Sequence, residues 1–566
     1  MKNKLYFLSA LTIVLLTSCG DLTREMEPYL TQQQVSSQYN YLKSQQVCLY
    51  ADMNDGFLAL GNAMMASASD EAEYTYKGGA QTINSGSWNA FTNPDDVWDK
   101  YYKAIRKVNV FLAGSDSVNL DAYKNDPSTS AQAVYQTRLA EIKNWKYEAR
   151  FLRAYYYFEL VKRYGGVPLI NDVLNLNTDF SKINRNTLDE CINFIVSECD
   201  SVSKVGALPV TYALDVDLGR ATKGAAMALK SRMLLYAASD LFNTPSWATG
   251  YSNPELISVT GDRTEKWKAA AKAAKDLIDL VGSTYTLISN YGLIGRTYND
   301  PELILVRRNT AYNTYETNNY PIGYVVGKGG VTPSQNLVDD YEMKDGTKFD
   351  WNNPSHKASP YNNRDPRLAL SVYYHQSKFK TIYLDMSQGG ANGYGIANAT
   401  TTGYYIKKFI DETLDLTLGR TSVHSWPVFR ISEIYLNYAE ALNEYDPGNT
   451  DISLYASKTR QRSGIGMPAI PTTLSQPVMR DKIRNERRIE LAFEDHRLWD
   501  VRRWMTAPVV LSTPLYGVKI TPTEFDYTYE KVIVEQRVFE PKMYFYPIPQ
   551  RVLFTNGVNW PQNPLW

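Results

Sequence analysis

Glu148-Ala149-Arg150-Phe151-Leu152-Arg153-Ala154-Tyr155-Tyr156-Tyr157-Phe158-Glu159-Leu160-Val161-Lys162-Arg163-Tyr164-Gly165-Gly166-Val167-Pro168 is the stretch that decides the fold. Apolar or aromatic residues fall at Leu139, Ile142, Trp145, Ala149, Leu152, Tyr156 and Leu160. Steps of three and four are the period of one helix face. Phe151, Tyr155 and Phe158 make a second apolar line beside the first. A helix with two such lines needs neighbours on both. Lys162 and Arg163 in the last turn, a glycine pair and then Pro168 are a stop signal. A helix from Tyr135 to Tyr164 is roughly 45 Å long at 1.5 Å per residue, enough for a spine on which other helices pack.

Composition narrows the function. The 566 residues carry 60 basic and 60 acidic groups, and 44% are hydrophobic. That is ample for a packed core and too evenly charged for nucleic acid or a polybasic membrane surface. At the N-terminus Lys2 and Lys4 precede an apolar run, Leu5 to Leu16, too short to span a bilayer. The run ends Leu16-Thr17-Ser18-Cys19-Gly20, which resembles a bacterial lipobox, so a signal peptide over 1–18 and lipidation at Cys19 are expected. Several acyl chains make such an anchor stable, and it is the only membrane attachment the sequence offers. Residues 19–32 form a polar tether. Cys191 and Cys199 sit eight apart in a helical pattern, roughly 12 Å along a helix axis and beyond disulfide reach. None of the four histidines lies near another or near a cysteine, which argues against zinc.

Further helices are indicated at about 37–60, 97–112, 187–204, 219–241, 264–281, 428–441, 451–462 and 479–504. Two regions break the helical pattern. One is a loop rich in carboxylates and aromatics from Asp70 to Asn89. The other is a long insert, about 283–419, rich in Gly, Asn, Thr and Tyr. The C-terminus reads as irregular and Pro-rich. Long irregular segments on a helical scaffold are usually where function resides.

Five separated stretches then look like one family. They are Trp98-Asp99-Lys100-Tyr101-Tyr102-Lys103-Ala104-Ile105 with Val108-Asn109; the Glu148–Pro168 spine; Leu337 to Tyr341 with Asp345-Gly346 and Asn363-Arg364-Asp365-Pro366-Arg367; Arg430 to Ala441; and Arg484 to Trp504. Tyr546-Pro547-Ile548-Pro549-Gln550 also matches. Together, from the lipobox to the last residues, they resemble the SusD/RagB family of outer-membrane nutrient-binding lipoproteins of Bacteroidota. The resemblance implies an all-α dominated fold, a tetratricopeptide-like right-handed superhelix with four helical units and a loop-rich ligand-binding insert. One domain would cover 33–566. It also implies a lipid-anchored protein on the outer face of the outer membrane. Such a protein would cap a SusC-like TonB-dependent transporter and deliver a glycan ligand into it, without enzymatic activity, cofactor or metal.

The carboxylates of Arg484–Trp504 invite a catalytic reading, because glycoside hydrolysis needs two carboxylates set across a sugar. Glu486, Glu490 and Glu494 recur at four and alternate with Arg484, Arg487, Arg488 and Arg497; Glu494–Arg497 and Asp500–Arg503 are at pairing distance along a helix. Carboxylates so surrounded keep a low pKa, which suits a structural ion-pair network. A calcium loop ending in Gly346 fails because its first position is Tyr341. No P-loop, Rossmann fingerprint or nucleophile elbow is present.

A sugar ring needs flat aromatic platforms beside amide, carboxylate and Arg partners. The candidates on that ground are Asp70, Tyr74, Tyr76, Trp88 and Asn89 in the first loop, and Tyr298, Tyr312, Tyr315, Tyr320 and Tyr324 in the insert, with Trp88 foremost. An oligopeptide ligand on the same architecture is the alternative, as in some relatives. A surface hydrolase is a third reading that lacks an acid/base pair.

Overall fold

The computed structural model describes residues 37–566 except 176, 283 and 556. The signal peptide, Cys19 and the tether lie outside the described residues. The long helices are α1 (Tyr39–Cys48), α2 (Trp98–Gly114), α3 (Thr129–Tyr164), α4 (Leu188–Val202), α5 (Lys223–Ala238), α6 (Arg263–Val281), α7 (Ile431–Tyr445), α8 (Thr450–Arg460), α9 (Gln476–Glu490) and α10 (Arg497–Arg503). From α2 to α8 each helix packs on the next in chain order, and α9 returns against α7 and α8. This helix-on-helix stacking is the tetratricopeptide-like, helix-dominated architecture that the sequence predicts.

The spine is longer than its apolar period indicates. α3 has 36 residues, roughly 54 Å at 1.5 Å per residue. It begins at Thr129 because the Ser128 side chain accepts from the Ala131 amide. Its N-terminal half is largely solvated, while every residue from Phe151 to Tyr164 is buried. It ends at Gly165, at φ +72°, where a Cβ would lie 2.4 Å from the Leu256 carbonyl oxygen, so only glycine fits. Arg163, read as a stop signal, is buried and bonded to Asp95 at 2.8 Å and to Glu159 at 2.7 Å. It pins the segment just before α2 to the spine.

Three helical expectations are corrected. The helix expected at about 37–60 ends at Cys48, and only a 3-10 turn, Gly56–Leu58, follows in that span. Val428 to Arg430 belong to a strand that precedes α7. The segment 479–504 is two helices, broken where Phe493 and Asp495 take positive φ. That break frees Glu494 from the α9 face on which the period placed it.

The strands are short and pair in twos: β1 (Ala72–Tyr74), β2 (Leu303–Arg308), β3 (Val331–Pro333), β4 (Ser425–Arg430), β5 (Leu515–Pro522) and β6 (Tyr527–Glu535). β2 pairs antiparallel with β4, Leu303 opposite Arg430, and so closes the base of the insert. α6 packs directly on α7, so the stack of helices runs past the insert. β5 and β6 form a hairpin in the segment that reads as irregular. Val518 and Ile520, two apart and on one face, are buried on either side of half-buried Lys519, and this alternation is what marks a half-buried strand.

Candidate functional site

The pairing of β1 with β3 brings the first loop and the insert together, although each also carries short helices such as Gly78–Asn84 and Gln335–Asp340. Ala72 lies opposite Pro333 and Tyr74 opposite Val331. Beyond the strands the seam continues: the Thr75 amide donates to the Gly330 carbonyl at 2.9 Å, the Thr75 hydroxyl to the Gly329 carbonyl at 2.7 Å, and the Tyr76 hydroxyl to the Lys328 carbonyl at 2.8 Å. A Cβ at Gly330 would sit 2.7 Å from the Asn318 carbonyl oxygen and 3.0 Å from the Tyr74 ring, which explains a glycine there.

A third segment, 388–405, joins this seam. The Asn392 amide donates to the Ile322 carbonyl at 2.6 Å, the Tyr405 hydroxyl donates to the Asn392 carbonyl at 2.8 Å, and the Thr401 hydroxyl donates to buried Glu73. Glu73 also holds Lys77 Nζ at 2.5 Å. The joined segments present exposed Tyr76, Val325, Val326, Tyr394 and Ile396. Half-buried Tyr74 stands beneath, its ring 5.7 Å from that of Tyr76. Partial burial raises the pKa of both tyrosines, so they stay neutral donors at physiological pH. Lys77, Lys328 and Asn398 supply exposed polar groups around these rings.

The structure separates the sequence candidates. Tyr74 and Tyr76 belong to this face. Tyr324 is half-buried nearby, its ring 4.5 Å from Phe379. Trp88 is corrected: it is 2% exposed, wedged between Tyr546 and Trp566 at 5.1 and 4.7 Å, and offers no free face. Its neighbour Asn89 is exposed but uses its side chain to accept from the Phe91 amide at 2.8 Å. Asp70 is also corrected. It is buried and held by Arg497 at 2.8 Å and Arg488 at 2.8 Å. Burial opposes its charge, but the two guanidiniums outweigh burial and keep the carboxyl below its ordinary range.

Tyr315 and Tyr320 are core residues whose hydroxyls donate to the Lys408 and Asp411 carbonyls at 3.0 and 2.5 Å. Tyr312 packs 4.8 Å from the His424 ring, and Tyr298 lies under the Arg308 guanidinium at 4.1 Å. Neither joins the face around Tyr76. Tyr394 was missed, although it stands in a glycine run, Gly393-Tyr394-Gly395, which is a signal for an exposed ring on a tight loop.

The carboxylates of α9 are structural. Glu490 and Glu302 are 0% exposed and share Arg430 and Arg462; Glu490 also meets Arg367 at 3.0 Å. Glu486 bonds Arg367 at 2.5 Å, and Glu494 bonds Arg430 at 2.7 Å and Lys408 at 2.5 Å. Burial opposes the charge of Glu490, yet three arginines hold it well below the ordinary range. Asp500–Arg503 pairs at 2.8 Å as the spacing predicts, whereas Arg497 turns to Asp70 and not to Glu494. Charges so enclosed cannot reach a sugar. Among the described residues no helix is long and apolar enough to cross a membrane.

Comparison with known proteins places this geometry. The model described as the SusD family matches residues 301–566, and that described as starch-binding, associating with outer membrane, matches 25–235. A 90-residue stretch is 37% identical to SusD-like protein P2 of Formosa agariphila, covering 15% of this chain and 18% of that protein. A SusD-like protein of Bacteroides fragilis superposes with a TM-score of 0.74 at 26% identity, over 94% of this chain and 98% of the other. A SusD-like carbohydrate binding protein of the same organism gives 0.73 at 24% identity, over 91% and 98%. With family models at both ends of the helical stack and this fold likeness along nearly its whole length, the chain belongs to the SusD/RagB family.

Proposed function

We propose that this protein is a non-catalytic, surface-exposed lipoprotein of the outer membrane. It binds an oligosaccharide or polysaccharide on the face around Tyr76 and passes it to a partner SusC-like TonB-dependent transporter. The observation that carries the ligand site is the β1–β3 seam. It joins loops more than 250 residues apart and sets exposed Tyr76 beside half-buried Tyr74, and the third segment tied to it through Asn392 carries exposed Tyr394. Flat rings take the C–H face of a sugar, and exposed Lys77, Lys328 and Asn398 on the joined segments offer polar groups for its hydroxyls. The family descriptions, starch-binding and associating with outer membrane, support the ligand class and the location. A similar structure described as carbohydrate binding points the same way. The lipobox residues supply the anchor at Cys19.

The locked carboxylates of α9 favour binding over turnover, since hydrolysis needs an accessible acid/base pair. Calorimetric titration of the protein cut after Cys19 against neutral polysaccharides and peptide pools tests the proposal. Binding to a glycan class without product release supports it. Saturable binding to peptides alone, or release of reducing sugar, contradicts it.

A further inference from the structure

A second, polar cleft lies away from that face. It has a volume of about 460 Å³ and opens between the end of α5, the start of α6, the end of α7 and the outer side of α9 and α10. Its lining includes Asp240, Arg263, Trp267, Glu444, Arg480 and Arg484. None of these residues takes part in the seam around Tyr76.

The charges in the cleft can be paired off one by one. Arg263 bonds Asp240. Arg480 grips Glu444 through two bonds, at 2.6 and 2.7 Å. Behind them Arg503 grips Glu440 the same way, at 2.6 and 2.7 Å, and Glu440 also accepts from the Trp504 indole at 2.7 Å. Every carboxylate is thereby taken. Arg484 is left over: its guanidinium lies 4.6 Å over the Trp504 ring and has no hydrogen bond or ion pair with any described residue, and its Nε is buried. A guanidinium carries five donors and is always charged. Its buried Nε is left without an acceptor, which is costly unless one arrives.

The charge and lining of the cleft indicate what that acceptor is. One uncompensated positive charge calls for a monoanion. A guanidinium lying over an indole keeps its planar N–H fork for a partner, and that fork matches a planar carboxylate. Around it stand the partly exposed oxygens of Glu444 and Asp240 and the hydroxyl of Thr264, all acceptors for hydroxyl groups. Trp267 and Trp504 complete the lining. The cleft is within the size range of small-ligand sites, about 300–1,000 Å³. A ring that carries one carboxylate and several hydroxyls fits all of these. We propose that this cleft is a separate binding site for a uronic acid residue, with Arg484 as the carboxylate-binding group. The sugar part rests on the glycan-binding reading above; the carboxylate part stands on Arg484 alone.

Ligand-observed NMR and calorimetry with methyl glucuronide, methyl glucoside, inorganic phosphate and hexaglutamate test this. Methyl glucuronide should bind at least about tenfold more tightly than methyl glucoside, the scale of one charge-assisted bidentate pair. Arg484→Gln should abolish that preference, and Arg484→Lys should keep part of it. Arg484 makes no hydrogen bond within the fold, so Arg484→Lys, which keeps a cation near Trp504, should melt like the parent and Arg484→Gln slightly below it; if Arg484→Gln does not fold, Arg484→Lys alone decides. Tyr76→Ala should leave glucuronide binding unchanged while lowering binding of the neutral glycan, which separates a failure of this site from a failure of the first. Equal binding of glucuronide and glucoside, a preference that survives Arg484→Gln, phosphate binding as tight as glucuronide, or Arg484-dependent binding of hexaglutamate without glucuronide would each overturn the proposal.

Discussion

The hydroxyl of Tyr76 donates to the carbonyl of Lys328 at 2.8 Å, across 252 residues of chain. The bond ties down the end of a side chain that remains 41% exposed. An anchored, exposed ring has little rotamer freedom left to lose on binding a sugar. Tyr76→Ala is therefore expected to weaken glycan binding about tenfold, the scale of one aromatic contact. Tyr76→Phe keeps the ring and loses only the anchor, so its loss should be smaller. Calorimetry on the two variants and the parent measures both.

Trp88 is expected to behave in the opposite way. Its ring is enclosed by Tyr546 and Trp566. Trp88→Ala should cost about 3–5 kcal/mol of stability through the cavity it leaves, while the fraction that remains folded binds glycan with unchanged affinity. Thermal unfolding beside calorimetry separates the two effects.

Gly330→Ala should open the seam. Its new methyl meets the Asn318 carbonyl and the Tyr74 ring at sub-contact distances. Overpacking of this kind costs about 1–3 kcal/mol. The sensitive readout is hydrogen exchange at the Thr75 amide, which donates to the Gly330 carbonyl and should lose protection before the helical stack does.

Glu71 makes stability depend on pH. Burial pushes its carboxyl from an ordinary 4.5 up to about 8, against the pull of the Arg488 guanidinium and helped by the charge of Asp70. The folded state then holds a proton that the unfolded state releases, so stability is fully present below the unfolded value and is lost as pH rises through about 8. Glu71→Gln should flatten that fall, visible in urea midpoints between pH 5 and 8. Glu159 and Glu440 act in the reverse sense. Burial opposes their charge, but Lys162 with Arg163, and Arg503, bring each down to about 2. Their contribution is present above the unfolded value and is lost as pH falls toward about 2.

Arg430 ties Glu302, Glu490 and Glu494 together with bonds of 2.6 to 2.7 Å. Removing one partner of a buried ion pair costs about 3–5 kcal/mol because it strands the others. Arg430→Met should lower the melting temperature sharply or prevent folding.

Much of the fold was legible because helices repeat locally. The spine, its glycine stop and the positions of α4, α5, α6 and α8 follow from a period of 3.6 and from end signals. The break between α9 and α10 was not legible, because Phe493 and Asp495 take positive φ through tertiary contacts that no local pattern encodes. The β5–β6 hairpin could have been read from the alternation at Val518-Lys519-Ile520. The site was half legible. Aromatic-rich loops marked both regions of the seam, but composition cannot tell a tyrosine that stacks in the core, such as Tyr315, from one that stands out, such as Tyr76. Trp88 misled for the same reason: small neighbours signal a tight loop, and the loop folds its one large ring inward. The partner of Asp70 lies more than 400 residues away at Arg497, a pairing no spacing rule reaches.

The measurement that bears most directly on the proposed glycan face is calorimetric titration of the chain cut after Cys19, parent and Tyr76→Ala side by side, against a panel of neutral polysaccharides. Saturable binding of one glycan class by the parent, weakened about tenfold in Tyr76→Ala with an unchanged melting temperature, is the predicted result. Equal affinity in parent and variant would contradict it and move the ligand away from the β1–β3 seam.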